Sequence, residues 1–201
     1  MPHLTFWYEF ASTYSYLSVM RMEVAAAAAG VTVTWQPFLL GPIFHAQGWS
    51  TSPFNIYPAK GRYMVRDIER IASTRGLDFR MPETFPANGL KAARLATLGI
   101  EEGWVVPFTK AVYEAQFVRG LDISGADVLL EALTRLGLDG QAAVARSNAP
   151  ENKARLRDAT ARAQDLGLFG APSFTTADGE LFWGDDRLDQ ALAHAVRATA
   201  S

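Results

Sequence analysis

The segment Leu4 to Ser18 changes character in mid-course, and this limits what the chain can become. Leu4, Thr5, Phe6, Trp7, Tyr8 and Phe10 are apolar or β-prone and predict a buried strand. Ser12, Thr13 and Ser15 then place small hydroxyls together. A helical run follows from Tyr16 to Ala29 and ends in five consecutive alanines. A strand feeding a helix through such a turn sets the turn at a helix N-terminus. Unpaired N–H groups and the positive end of the dipole make that place suited to an anion. Ser12 reads as the N-cap or its neighbour.

Gly30 is positioned to end this helix, and Val31 to Phe38 alternates as a second strand. Strand, helix and strand in under forty residues form a βαβ unit, with a right-handed crossover and parallel strands. After Leu40, Gly41, Pro42, Gly48, Ser50, Ser52, Pro53 and Pro58 predict a long irregular loop, rich in aromatics. Apolar spacing and Gly/Pro stops then predict helices over 63–75, 89–99, 102–120, 125–137, 138–147 and 149–166. The chain returns to strands at Gly167–Thr176 and Leu181–Trp183, joined by a hairpin at Ala177–Glu180. A turn at Gly184–Asp186 and a helix over Arg187–Thr199 close it. Joining the ends gives βαβ–ββα. This is an α/β, thioredoxin-like fold, with residues 1–40 and 165–201 forming the discontinuous thioredoxin-like domain and 41–164 an all-helical insertion.

Composition narrows the chemistry. With 201 residues, 49% hydrophobic, the chain can bury a sizeable core. Its net charge of −2 argues against nucleic acid or anionic lipid as a partner. The absence of cysteine excludes disulfides, thiolate nucleophiles and thiol–disulfide exchange by the protein itself. His3, His45 and His194 show no ligand spacing, so no metal site is expected. No signal peptide or transmembrane-length apolar run is evident, and a cytoplasmic protein is expected.

Several stretches, in order along the chain, resemble one family. Phe10-Ala-Ser12-Thr-Tyr-Ser15-Tyr-Leu is similar to F-x-S-P-x-S-Y-L of the 2-hydroxychromene-2-carboxylate isomerases, which belong with kappa-class glutathione transferases and DsbA-like proteins. Pro58-Ala-Lys60-Gly-Arg-Tyr63-Met resembles P-x-K-x-x-Y-M, and Phe85-Pro-Ala-Asn88 resembles P-x-N. Gly167-Leu-Phe-Gly-Ala-Pro172-Ser-Phe resembles G-x-x-G-V-P-T-F, which carries the thioredoxin cis-proline. Phe182-Trp-Gly184-Asp-Asp186-Arg-Leu resembles F-x-G-x-D-R-L. Thr13 departs from the pattern where proline is usual, and Ala171 replaces valine.

The resemblance implies a glutathione-dependent cis–trans isomerase of a small aromatic substrate, cytoplasmic and homodimeric. It places Ser12 where a thioredoxin has its first cysteine. There the hydroxyl would stabilise the thiolate of glutathione. The resemblance also implies a cis Pro172, with the Ala171 backbone pairing with the cofactor peptide. Asp185 and Asp186 would receive the glutamyl end, though either could instead cap the last helix. Thr51 and Asn55 fall near the cofactor contacts. Lys60, Asn88 and Tyr63 fall on the substrate side; Lys60 could equally be a solvated lysine and Asn88 a helix cap. Phe44, Trp49 and Phe117 could wall a pocket with Tyr63 or belong to the core. These motifs do not separate an isomerase from a kappa-like glutathione transferase. A non-enzymatic, chaperone-like thioredoxin-fold protein is the third reading.

Overall fold

The computed structural model describes residues 1–49 and 56–200, the side chain of Ala200 excepted. Strand β1 (His3–Tyr8) runs into α1 (Thr13–Ala29), which leads to β2 (Thr32–Pro37). Helices α2 (Leu40–Ala46), α3 (Pro58–Thr74), α4 (Leu90–Glu102), α5 (Val105–Phe117), α6 (Ala126–Arg135), α7 (Gly140–Ser147) and α8 (Pro150–Asp165) follow. Strands β3 (Ser173–Thr176) and β4 (Leu181–Trp183), a short 3₁₀ turn (Asp185–Arg187) and α9 (Leu188–Ala200) complete the described elements.

The sheet order is β2-β1-β3-β4. Strand β1 lies parallel to β2 and antiparallel to β3, with Phe6 opposite Trp35 on one side and Phe174 on the other. This is the thioredoxin-like arrangement that the sequence predicts, with the helical block inserted between β2 and β3. Alternation along β1 divides its side chains between two apolar layers. Leu4, Phe6 and Tyr8 face the main core, which includes residues of α1, α4, α5 and α9. Trp7 points the other way, packing with Phe38, Ile43, Ala163 and Leu168. Its indole N–H donates to Thr175 Oγ1 at 2.9 Å.

Aromatic contacts tie the helical block to the sheet. Phe10 and Tyr113 stack at 5.3 Å, and Tyr113 lies 6.0 Å from Phe117. Phe117 is fully buried in this core. It is therefore not a wall of an open pocket; helix periodicity carried it inward. The Tyr8 hydroxyl and Thr109 Oγ1 share a 2.8 Å hydrogen bond beneath the sheet. Burial pushes the Tyr8 hydroxyl well above its ordinary pKa, so it stays protonated.

Three boundaries differ from expectation. Helix α1 begins at Thr13 because Ser12 is its N-cap and answers the Ser15 N–H. Phe10 falls in the turn after β1. The stretch after residue 40, read as irregular, holds α2, and α3 begins at Pro58. Pro42 and Pro58 both sit in first turns, where a missing N–H leaves no helix bond unmade. At the other end of α1, Gly30 takes φ +66°, the left-handed conformation that lets its N–H reach Ala27.

The α4–α5 junction gives a direct test of the packing. A Cβ on Gly99 would lie 2.6 Å from Trp104 Cε3 and 3.1 Å from Val105 Cα. Trp104 is buried, and its backbone N–H is bonded to the Gly99 carbonyl. Neither neighbour can yield. Gly99→Ala should destabilise the fold by about 1–3 kcal/mol despite its better helix propensity, read as a lowered melting temperature.

Candidate active site

Three segments far apart in sequence meet at the C-terminal end of β1. The first is the N-terminus of α1. Ser12 is extended (φ −84°, ψ 115°), and its Oγ accepts the Ser15 N–H at 3.1 Å. The second is the head of β3, where the Ala171–Pro172 peptide is cis, as expected. The Ser12 hydroxyl donates to the Ala171 carbonyl at 2.9 Å, across 159 positions. The third follows β4. The Gly184 N–H donates to the Pro172 carbonyl at 3.0 Å, which hangs the Asp185–Asp186 turn beside the cis-proline. Gly184 has φ +107°, and a Cβ there would lie 2.6 Å from Asp186 Oδ1.

These segments border a cavity of about 1590 Å³. Ser12, Ala171, Asp185 and Asp186 line it, and so do Lys60, Tyr63 and Asn88 from the helical block. Phe44 and Trp49, 5.7 Å apart, form part of its wall. Thr51 and Asn55 lie outside the described residues. Lys60 is exposed, with its Nζ 5.1 Å from the Tyr57 ring centroid. Asn88 Oδ1 accepts the Leu90 N–H at 3.1 Å, a local turn just before Gly89, the N-cap of α4, and the residue lines the cavity. A second cis peptide, Phe85–Pro86, shapes the same wall. The sequence offers no cue for it beyond the proline.

The two neighbouring aspartates have different work. Asp185 is only 3% exposed. Its Oδ1 accepts from Ser18 Oγ at 2.9 Å, and its Oδ2 pairs with Arg75 at 2.6 Å. Arg21 reaches both Oδ1 and the Asp185 carbonyl. Asp185 thus clamps α1, α3 and the 3₁₀ turn together. Asp186 is exposed, with its Oδ2 3.2 Å from Arg187. Thr13, where proline is usual in the similar family, is buried, and its hydroxyl donates to Met64 Sδ at 3.0 Å. The departure becomes a contact between α1 and α3.

Two cavity residues escaped the sequence reading. Arg75 ends α3, and nothing in its helical pattern separates it from a surface arginine. Glu9 is half-buried at the foot of the hydroxyl turn. Its Oε2 accepts the Ala11 N–H at 2.9 Å. Burial raises its carboxyl to about 7, and the Ala11 bond offsets only part of that. The available signal was an acidic residue interrupting an apolar run three positions before Ser12. Above it, the Tyr113 hydroxyl donates to the Glu9 carbonyl at 2.6 Å. Burial and the nearby Glu9 charge keep that phenol protonated.

A cis-proline strand facing a helix N-terminus, on this sheet order, defines a thioredoxin-like protein with a cavity at the α1 end. Residues 3–196 match the DSBA-like thioredoxin domain, and the chain belongs to that family. Two curated relatives carry the name 2-hydroxychromene-2-carboxylate isomerase. The protein from Sphingobium xenophagum is 27% identical over 187 residues, covering 92% of this chain and 94% of the relative. That from Pseudomonas putida is 27% identical over 205 residues, covering 97% and 96%. A solved structure of a 2-hydroxychromene-2-carboxylate isomerase superposes with a TM-score of 0.85 at 23% identity, covering 98% of each chain. The resemblance read from the motifs therefore extends over nearly the whole chain.

The charge arrangement makes two predictions. Asp185→Asn should lower stability by on the order of 2 kcal/mol, since it leaves Arg75 without its carboxylate and Arg21 with Asp189 alone. Asp186→Asn should leave the melting temperature nearly unchanged. Glu9 has a folded pKa above its ordinary value of 4.5, so its contribution to stability is full below that value and is lost as pH rises through about 7. Glu9→Gln should therefore gain stability relative to wild type between about pH 4 and pH 8, by at most about 3 kcal/mol, measured by thermal melts across that range.

Proposed function

We propose that the protein is a glutathione-dependent cis–trans isomerase acting on an aromatic hemiketal acid of the 2-hydroxychromene-2-carboxylate type. One observation carries the reading. A serine hydroxyl, and no thiol, stands at the N-terminus of α1 against a cis-proline strand, in a cavity large enough for a peptide cofactor and an aromatic substrate together. The names of the relatives supply the substrate class.

The donor set suits glutathione. That tripeptide carries one ammonium, two carboxylates and a thiol. The exposed Asp186 carboxylate offers a partner for the ammonium. Lys60 and Arg75 line the same cavity and offer cations for carboxylates. Pro172 and Ala171 stand at the head of a strand, where an extended peptide can pair by backbone hydrogen bonds. Gly184 leaves open the space that a Cβ would fill against Asp186. When bound, glutathione supplies a thiolate that adds reversibly to the substrate's conjugated double bond and so permits rotation.

The chain's own residues prepare that chemistry. Ser12 is a poor nucleophile at neutral pH but a good hydrogen-bond donor. Its proton rests on the Ala171 carbonyl. A peptide pairing with the Ala171 backbone competes for that carbonyl, which releases the Ser12 hydroxyl toward a sulfur anion. The α1 N-terminus adds its positive end to the same point. Phe44, Trp49 and Tyr63 offer flat faces for the aromatic ring.

Calorimetric titration of glutathione and a turnover assay with a hydroxychromene carboxylate test the reading. Wild type should bind glutathione saturably and form the trans keto acid without consuming it. Ser12→Ala should keep most of the binding and lose about tenfold to a thousandfold in turnover. No binding at millimolar glutathione refutes the proposal. Net consumption of glutathione into a stable conjugate would make the protein a transferase instead.

A further inference from the structure

We propose that Glu9 is the acid–base residue that opens the cyclic substrate, an assignment that rests on the isomerase reading above. In a 2-hydroxychromene-2-carboxylate, one ring carbon carries a hydroxyl, a carboxylate and the ring oxygen, so the compound is a cyclic hemiketal. The ring holds the neighbouring double bond cis. No rotation is possible until the bond from that carbon to the ring oxygen breaks. Breaking it requires a proton to leave the hydroxyl and a proton to reach the aryl oxygen, and one carrier can do both in turn.

Glu9 is placed for this transfer. It lines the cavity with Ser12, and the Ala11 N–H at 2.9 Å pins one carboxylate oxygen. The other oxygen lies 3.2 Å from the position a Cβ would take on Gly89, at the start of α4 and next to Asn88. A glycine there leaves the carboxylate room on the side from which the helical block faces the cavity. Tyr113 of α5 stays protonated above it and offers no competing charge. The charged groups elsewhere along the cavity, Lys60, Asp67, Arg75, Asp185, Asp186 and Arg187, do not set its titration; burial does. A carboxyl raised to about 7 holds and releases a proton at neutral pH. The Ser12 hydroxyl is far too weak an acid to do the same.

The step balances without a co-reactant. The Glu9 carboxylate takes the hemiketal proton. The hydroxyl oxygen becomes a ketone as the ring carbon–oxygen bond breaks, and that bond's electron pair leaves on the aryl oxygen. Glu9 then returns its proton to the phenolate. The product is the open cis keto acid, and Glu9 is again a carboxylate.

This step does not involve glutathione, so it can be observed without it. Exchange between cyclic and open cis forms is followed by proton NMR in buffer, with wild type, and with Glu9→Gln, glutathione omitted. Glutamine keeps an acceptor for the Ala11 N–H but cannot move a proton. Wild type should accelerate exchange, and Glu9→Gln should lose roughly a hundredfold or more of that acceleration. The wild-type rate should rise with pH through about 7 and then level. Glutathione affinity by calorimetry should be the same in both. Where Glu9→Gln fails to fold, Glu9→Asp, which keeps a titrating carboxyl, should retain exchange with a pH limb. Equal exchange in wild type and Glu9→Gln overturns the assignment. So does a flat pH profile, or Glu9→Asp exchange that lacks the limb. Wild type that accelerates exchange yet forms no trans product with glutathione refutes the isomerase reading and leaves the ring-opening role standing. Wild type that does neither refutes both.

Discussion

Strand β1 is paired on both edges and buried on both faces, and the placement of everything else follows from that constraint. A strand in this position can tolerate no polar side chain on either face without a partner. Its buried positions meet the demand: Leu4 and Phe6 are apolar, the Trp7 indole is satisfied by Thr175 and the Tyr8 hydroxyl by Thr109. Because β1 is central, the chain leaving its C-terminal end emerges between the helical block and the β3–β4 hairpin. The turn at residues 9–12 therefore sits where three parts of the molecule converge. The Ser12 hydroxyl placed there bonds to both α1 and the head of β3 without any loop having to be long.

The convergence is held by few bonds of high consequence. Ser12 to Ala171 closes the α1–β3 gap, and Gly184 to Pro172 sets the β4 turn. Asp185 draws Arg21 and Arg75 together. Each joins residues more than a hundred positions apart or adjacent strand ends. Each is also partly desolvated, so none is as replaceable as an exposed ion pair. Using Asp185 inside the structure leaves the adjacent Asp186 free to face the cavity. Two identical side chains in sequence thus divide into a buried clamp and an exposed carboxylate at the cavity.

Much of this was legible in the sequence. The apolar, β-prone run from Leu4, the hydroxyl turn, Gly30 and the alternation of Val31 to Phe38 predicted the βαβ unit, since local propensity and burial agree there. Ser12 was legible as a cap, because capping is a local interaction. Pro172 was legible as cis only through the resemblance, since composition alone favours trans. What stayed hidden depends on contacts between distant segments. Nothing local distinguishes Asp185 from Asp186, or marks Arg75 as the partner of the former. Phe117 was ambiguous because an aromatic on a helix serves a core or a pocket equally well until its face is known. The early helices at Leu40–Ala46 and from Pro58 were obscured by prolines, which read as loop signals but occupy first turns, where they are harmless.

The site also makes opposite electrostatic demands within one short turn. At Ser12 the backbone presents a helix N-terminus, which stabilises a negative charge beside it. At Glu9, three residues earlier, burial disfavours the negative charge and leaves the carboxyl shared between its two forms near neutrality. A single apolar environment could not do both. It is the oriented N–H groups of α1 that make the difference, and they reach Ser12 but not the Glu9 carboxylate, which receives only the Ala11 N–H. Such a division lets one pocket favour an anion at one point and exchange a proton at another, which is what a substrate bearing both an electrophilic double bond and a hemiketal requires. A cysteine in place of Ser12 would bring its own titration to the helix end. A serine, which does not titrate near neutrality, leaves proton exchange in this turn to Glu9 and hydrogen-bond donation to the helix end.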